Sequence, residues 1–286
     1  PEITGAARAM REAMTIVEAP AGAIDVCGTG GDGHGTLSIS TAAAFVVAAC
    51  GVPVAKHGNR AMSSRTGTAD VLEVLGVPVT LDAAGARSAL ARSGFAFLFA
   101  PNFHPAMKHV AHVRRELGFR TVFNLLGPIC NPACVKRQLL GIFAKEWLEP
   151  VAHVLKDLGA EKAWVVHGSD GLDEMTTTGI THVAELANGA VTLHDIAPED
   201  FGLKRVSLAA LKGGSAEDNA RAIRELFAGA KNPYRDIVLL NAGAALAVAG
   251  RVKTLADGIP LAADAIDKGR AASVLEQSRA NAHANA

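Results

Sequence analysis

The chain has 286 residues, 49% hydrophobic and 20% charged, and its 28 Lys and Arg balance its 28 Asp and Glu. That length and apolar share suffice for one large or two small domains with a full core. The even balance excludes a basic field for nucleic acid or an anionic membrane surface, so positive charge must act locally. Cys27, Cys50, Cys130 and Cys134 lack paired CxxC spacing, and the sequence carries no signal-peptide pattern or long apolar span. A reducing cytoplasm with buried thiols is expected.

In chain order, Ile3 to Met14 reads as a helix with Ile3, Ala7, Met10 and Met14 on one face. Ala23 to Cys27 is a short apolar strand, and five glycines follow within eight residues: Gly28, Gly30, Gly31, Gly33 and Gly35. Thr36, Ser38, Ser40 and Thr41 then lead into an alanine-rich helix, Thr41 to Cys50. Strand, glycine loop and helix start together suit an anion, because bare amides, hydroxyls and the helix dipole converge there. No GxxxxGK[ST] occurs in the sequence, which argues against a P-loop NTPase. Asp32 would repel a phosphate, so it caps the loop's own amides or meets a sugar hydroxyl.

A second strand, Val52 to Ala55, ends in Lys56, His57, Gly58, Asn59 and Arg60, with Ser63, Ser64, Arg65, Thr66 and Thr68 beyond. Two anion-binding stretches at consecutive strand ends match where open α/β sheets lodge ligands. Lys56, Arg60 and Arg65 are expected to supply mobile or forked charge, and the hydroxyls and Gly58 close neutral contacts.

Further elements are a helix Ala69 to Leu75 stopped by Gly76, a strand Val77 to Leu81, and a helix to Ser93 capped by Asp82 and ended by Gly94. Phe95 to Phe99 is strand-like, His104 to Leu117 a helix closed by Gly118, and Thr121 to Leu126 a shorter one. Pro128 and Pro132 mark a connection. On the His104 helix Arg114 falls on the apolar seam of Met107, Val110 and Leu117 while Arg115 falls off it, so Arg114 is expected to meet an anion. A snorkelling head on a packed stem is the other reading. His104, His109 and His112 lack zinc spacing; His104 either faces an aromatic ligand or caps its helix, and His57 either joins the site or packs beneath it.

Leu139 to Phe143, the helix Lys145 to Leu158, and Lys162 to His167 repeat a strand–helix–strand alternation typical of parallel sheets. Asp173 and Glu174 follow in a glycine-rich loop, where both carboxylates can converge on one Mg²⁺. Alone, the pair would read as a solvated acidic loop; a phosphate site elsewhere in the chain, together with the family resemblance given below, favours a ligand pair. Thr181 to Leu186, Asn188-Gly189 and Ala190 to His194 form an antiparallel hairpin. Ser215 caps a helix to Phe227, Tyr234 to Ala249 is a buried helix, and the tail is helical from Pro260 to about Ser278, broken near Gly269.

These residues carry a resemblance. GTGGD at 28 to 32, SISTAAAF at 38 to 45, KHGNR at 56 to 60, HPAMKHVAHVRRELG at 104 to 118, FNLLGP at 123 to 128 and DGLDE at 170 to 174 resemble the anthranilate phosphoribosyltransferases. The likeness implies an α/β fold: a mixed, mostly parallel central sheet wrapped by helices (20–100 and 128–286), plus a truncated small helical domain (1–19 and 101–127). It implies transfer of the phosphoribosyl group from phosphoribosyl pyrophosphate (PRPP) to anthranilate, releasing pyrophosphate, in tryptophan biosynthesis. Gly28, Gly31, Asp32, Thr36, Ser38, Ser40 and Thr41 would hold PRPP, together with Lys56, Gly58, Asn59, Arg60, Ser64 and Thr68. Gly28, Asn59, His104 and Arg114 would hold anthranilate. Ser40, Asp173 and Glu174 would hold Mg²⁺, with Asp173, Glu174 and Lys56 as the catalytic groups.

This sequence has Ser38 where the family usually has Asn, and Thr66 and Thr68 where it usually has Ser. The resemblance also implies a homodimer formed through the helical domain. The first helices of that domain would be absent here, so Ile3, Ala7, Met10 and Met14 are expected to form an uncovered apolar face that weakens association. Two other readings are a pyrimidine nucleoside phosphorylase, against which the lack of a KxSGR-type segment argues, and a non-catalytic nucleic-acid-binding relative, against which the charge balance argues.

Overall fold

The computed structural model describes residues 1–60, 66–117 and 119–280, apart from the side chain of Arg115. The chain begins with α1 (Glu2–Glu12), then β1 (Ile24–Gly28), α2 (Ile39–Ala49), β2 (Val54–Gly58), α3 (Thr68–Leu75), α4 (Ala83–Ser93) and β3 (Phe95–Phe99). Next come α5 (Ala100–Phe103), α6 (Lys108–Leu117), α7 (Phe123–Ile129), β4 (Arg137–Gly141), α8 (Leu148–Asp157) and β5 (Lys162–Gly168). The hairpin β6 (Thr181–Ala187) and β7 (Ala190–Ile196) precedes α9 (Ala216–Phe227), α10 (Pro233–Val248), α11 (Leu255–Asp267) and α12 (Arg270–Ala280).

The described strands form one sheet in the order β3-β2-β1-β4-β5-β6-β7. Pairing is parallel from β3 through β5 and antiparallel for β6 and β7, as expected of a mixed, mostly parallel sheet. The chain leaves β1 for β2 on one side and later returns to β4 on the other. The β1/β4 junction is therefore a topological switch point, where a crevice opens beyond the strand C-termini.

One face of the sheet is covered by α2, α10 and their neighbours, and both helices are buried nearly all round. The other face carries α7 and α8. Against these packs α1: Ala7 is buried, and Ile3 and Met10 join the same cluster. Arg11 donates to the Ile129 carbonyl (2.7 Å) and the Leu158 carbonyl (3.2 Å), closing the ends of α7 and α8. The expected uncovered face on α1 is thus covered by the chain itself, with Met14 buried too.

Most caps fall where the sequence puts them. Asp82 accepts from the Gly85 amide at 2.7 Å, and Gly76 and Gly94 adopt left-handed φ values of 80° and 72°. Four expectations change. Val77, Val79 and Leu81 are buried in alternation, yet the segment joins no ladder: Pro78 lacks an N–H, and the stretch connects α3 to α4. The His104 helix is split, because Pro105 keeps His104 out of helical geometry (φ −118°, ψ 68°), and α6 starts only at Lys108 after a 3₁₀ turn. The tail helix starts at Leu255, where Thr254 and Asp257 form a capping box, and Pro260 lies inside it. Finally, β2 runs on to Gly58, so Lys56 and His57 belong to the strand rather than to a loop. Cys27, Cys50 and Cys130 are buried free thiols, and Cys134 is half-buried. Among the described residues no helix is long and apolar enough to cross a membrane.

Candidate active site

Beyond the C-terminal ends of β1 and β2 lies a cavity of about 1100 Å³. Its floor begins at Gly28, paired in register with Gly141 of β4. Both must be glycine. A Cβ on Gly28 would come within 2.3 Å of the Asp173 carboxylate, and one on Gly141 within 1.5 Å of the Asp173 carbonyl. The two bare positions let the acidic loop close over the strand ends, a requirement that sequence spacing signals for Gly28 but not for Gly141.

In that loop the Asp170 carboxylate accepts from the Thr176 hydroxyl (2.7 Å), from the Thr178 hydroxyl and from the Leu172 amide (3.2 Å). Buried Asn241 of α10 brackets Met175, accepting from its amide (3.1 Å) and donating to its carbonyl (2.9 Å). So held, Asp173 accepts from the Gly30 amide at 2.6 Å, and Glu174 from the Ser40 amide at 3.2 Å. Burial raises both carboxyl pKa values, with the charge of Asp32 adding to it at Asp173 and that of Asp173 adding to it at Glu174. Two buried, mutually repelling carboxylates next to the Ser40 hydroxyl are hard oxygen donors short of positive charge, which fits Mg²⁺.

Lys56 is fully buried; its ammonium donates to the Val26 carbonyl at 2.5 Å and draws down the pKa of both Glu174 and Asp25. It is a fixed internal charge, not the mobile one expected. Beneath it Asp25, pushed up to about 6 by burial, accepts from the His57 amide (3.1 Å) and the Asn131 side chain (2.8 Å). Asn131 also donates to the Ala55 carbonyl at 2.8 Å, so this buried pair supports the end of β2. Nothing local in the sequence joins Asp25 to Asn131.

In the glycine loop Asp32 accepts from the His34 amide at 3.0 Å, the expected self-capping. The Thr29 hydroxyl is buried with no partner among the described residues. Arg120, stacked 4.4 Å from the Phe143 ring centroid, donates to the Gly31 carbonyl. A strap before α9 crosses the loop: Lys212 donates to the His34 carbonyl (2.7 Å), the Gly213 amide to Gly35 (2.9 Å), and the Leu37 amide to Leu211 (2.9 Å). The Thr66 hydroxyl donates to the Gly214 carbonyl at 3.0 Å. Sequence reasoning misses this strap; the glycine pair before the Ser215 cap is its one signal.

Thr36, Thr41, Gly58, Asn59 and Thr68 line the cavity with these groups. Gly58 is tight, since a Cβ there would meet the Phe97 ring at 2.8 Å. Arg60 also borders the cavity, but its guanidinium is engaged by α3, through Asp70 (2.9 Å) and Glu73 (2.8 Å). Its forked charge is therefore spent on the protein and not open as expected. Ser38 lines the cavity too, with its hydroxyl donating to Asn219 Oδ1 (3.1 Å). Ser63, Ser64 and Arg65 lie outside the described residues.

The opposite wall is helical. His104 is buried rather than capping, and its Nε2 lies 3.2 Å from His57 Nε2. Burial lowers both pKa values, His57 to about 3, so the pair is neutral with one ring donating to the other. Arg114 lines the cavity half-buried, 5.2 Å from the Phe123 ring centroid, and among the described residues no carboxylate pairs with it. Burial lowers its pKa, so an incoming anion would relieve a real cost. Met10 of α1 reaches the same wall.

A sheet whose switch point combines a glycine-rich loop, a buried acid pair and an arginine without a carboxylate partner among the described residues is suited to a phosphorylated sugar and a second, anionic substrate. The family model described as "Glycosyl transferase family, a/b domain" matches residues 21–272. The chain is 58% identical to the anthranilate phosphoribosyltransferase of Methylocella silvestris over 276 residues, 96% of this chain and 79% of that one. The crystal structure of the Thermus thermophilus anthranilate phosphoribosyltransferase superimposes with a TM-score of 0.93 at 48% identity, covering 98% of this chain and 84% of its own. The Saccharomyces cerevisiae enzyme, solved in complex with PRPP and Mg, gives 0.90 at 31% identity, covering 99% and 80%. A further structure of it holds 4-fluoroanthranilate, with 0.88 at 29% identity, covering 99% and 79%. The chain belongs to the anthranilate phosphoribosyltransferase family.

Proposed function

We propose that the protein transfers the phosphoribosyl group of PRPP to anthranilate, with release of pyrophosphate, in tryptophan biosynthesis. The carrying observation is one cavity that joins the glycine loop, the Asp173–Glu174 pair and the unpaired Arg114. Loop amides and the start of α2 receive the phosphate oxygens, with Thr36, Thr41 and Thr68 as neutral contacts. Asp173, Glu174 and Ser40 hold Mg²⁺, which when bound neutralises charge on the leaving pyrophosphate. Buried Lys56 adds a fixed positive potential to the same floor.

Arg114 pairs with the anthranilate carboxylate, and Asn59 and the neutral His57–His104 pair border its ring. The aromatic amine is a neutral nucleophile. Its nitrogen bonds to ribose C1 as the C1–oxygen bond to pyrophosphate breaks through an oxocarbenium-like state, and the amine then sheds a proton. No strong base is required, so positioning and charge stabilisation carry catalysis. Free cysteines support a reducing, cytoplasmic setting. Segments 1–19 and 101–127 supply Met10, Met107 and Arg114 to the wall, which supports reading them as one helical layer.

The test is product formation from PRPP and anthranilate with and without Mg²⁺. Metal-dependent phosphoribosyl-anthranilate is expected. Phosphorolysis of a pyrimidine nucleoside, without that product, would overturn the reading.

A further inference from the structure

Ser38 is the N-cap residue of α2, yet its side chain makes no capping bond. A serine there ordinarily accepts from the amide two or three residues on and closes the helix end. Here the hydroxyl donates to Asn219 Oδ1 at 3.1 Å, and the Ser38 amide donates to the same oxygen at 2.8 Å. Asn219 is buried, and its other end is fixed as well, Nδ2 donating to the Ser215 carbonyl at 2.9 Å. Tyr234 of α10 donates to the Ser38 carbonyl at 2.9 Å. The first-turn amides of α2 are consequently not capped from within. The Ser40 amide goes to Glu174, and among the described residues the Thr41 amide has no acceptor.

We propose that Asn219 is a positioning residue for the phosphate subsite: it draws the Ser38 hydroxyl away from the end of α2 and so keeps the Thr41 amide open for a phosphate oxygen of the substrate. This rests on the reading that PRPP binds here. Without the Asn219 acceptor the hydroxyl is free to rotate onto the helix end and compete with the substrate for the same donor.

The test is calorimetric affinity for PRPP with Mg²⁺, alongside thermal unfolding and steady-state kinetics. Asn219→Ala is expected to weaken PRPP binding by about 10-fold, the worth of one hydrogen bond to a charged group, and to leave the KM for anthranilate within about 2-fold. Adding Ser38→Ala removes the competing hydroxyl and is expected to recover most of the lost affinity. A purely structural role for Asn219 predicts no such rescue, because the second substitution would only loosen the junction further. Should the alanine variant not fold, Asn219→Ser keeps a polar group in place, with the same rescue expected. An Asn219→Ala affinity equal to that of the unsubstituted protein, or a double variant no tighter than the single one, overturns the proposal. An unsubstituted protein with no affinity for PRPP would instead overturn the function from which it starts.

Discussion

On the sheet side of the cavity the polar groups are backbone amides and buried carboxylates at strand and helix ends, held by glycines and by buried amide side chains such as Asn241 and Asn131. On the helical side they are side chains: Arg114 leans on one aromatic ring, and its helix carries exposed Val113 and Leu117. The first half is set by the rigid sheet and the second by where α6 and α7 come to rest. Substitutions on the floor should therefore damage chemistry and fold together, while those on the wall should damage the handling of one substrate.

The largest effect is expected at the acid pair. Asp173→Asn with Glu174→Gln removes the oxygen ligands for the cation and should lower turnover by roughly 10² to 10⁴, read as kcat at saturating Mg²⁺. Near-normal turnover would detach the pair from catalysis. Gly141→Ala comes next. Its Cβ collides with the Asp173 backbone, so the acidic loop must shift, and a displacement near 1 Å costs about 10²-fold in kcat. A Gly141→Ala enzyme of ordinary activity and melting temperature would mean that the loop has slack the floor is not expected to have.

The smallest effect concerns pH. His57 has a folded pKa of about 3, below its ordinary 6.5, because burial disfavours its charged form. The stability it contributes is complete above about pH 6.5 and is lost as pH falls towards 3. Between pH 7.5 and 5 the protein should lose about 2 kcal/mol on this account, and His57→Gln should flatten the profile. Identical denaturation profiles for the two would show that the floor does not exclude the proton.

The floor was also the more legible half. Glycine spacing, the run of hydroxyls and the Asp173-Glu174 pair are local patterns whose chemistry needs only a strand end. Even there, partners distant in sequence decided the details. Ser38 is claimed by Asn219, Arg60 by Asp70 and Glu73, and Lys56 is drawn into β2, because each polar group is satisfied by whatever the fold brings beside it. Val77 to Leu81 has strand-like alternation, but joining a ladder depends on a neighbouring strand that periodicity cannot reveal. Arg114 lines the cavity, but the apolar seam expected around it is incomplete, since Met107 sits in the 3₁₀ turn and Leu117 is exposed; its Phe123 partner, and Met10 on the same wall, come from segments that no spacing links.

Steady-state kinetics of Arg114→Ala, varying each substrate in turn, test the separation of the two halves most directly. Loss of a charge-assisted bond should raise the KM for anthranilate roughly 10- to 150-fold, with Arg114→Lys recovering only part because an ammonium lacks the forked contact. The KM for PRPP should stay within about 2-fold, since its contacts lie on the floor. Equal losses for both substrates, or a loss confined to PRPP, would contradict a wall that holds anthranilate independently of the floor.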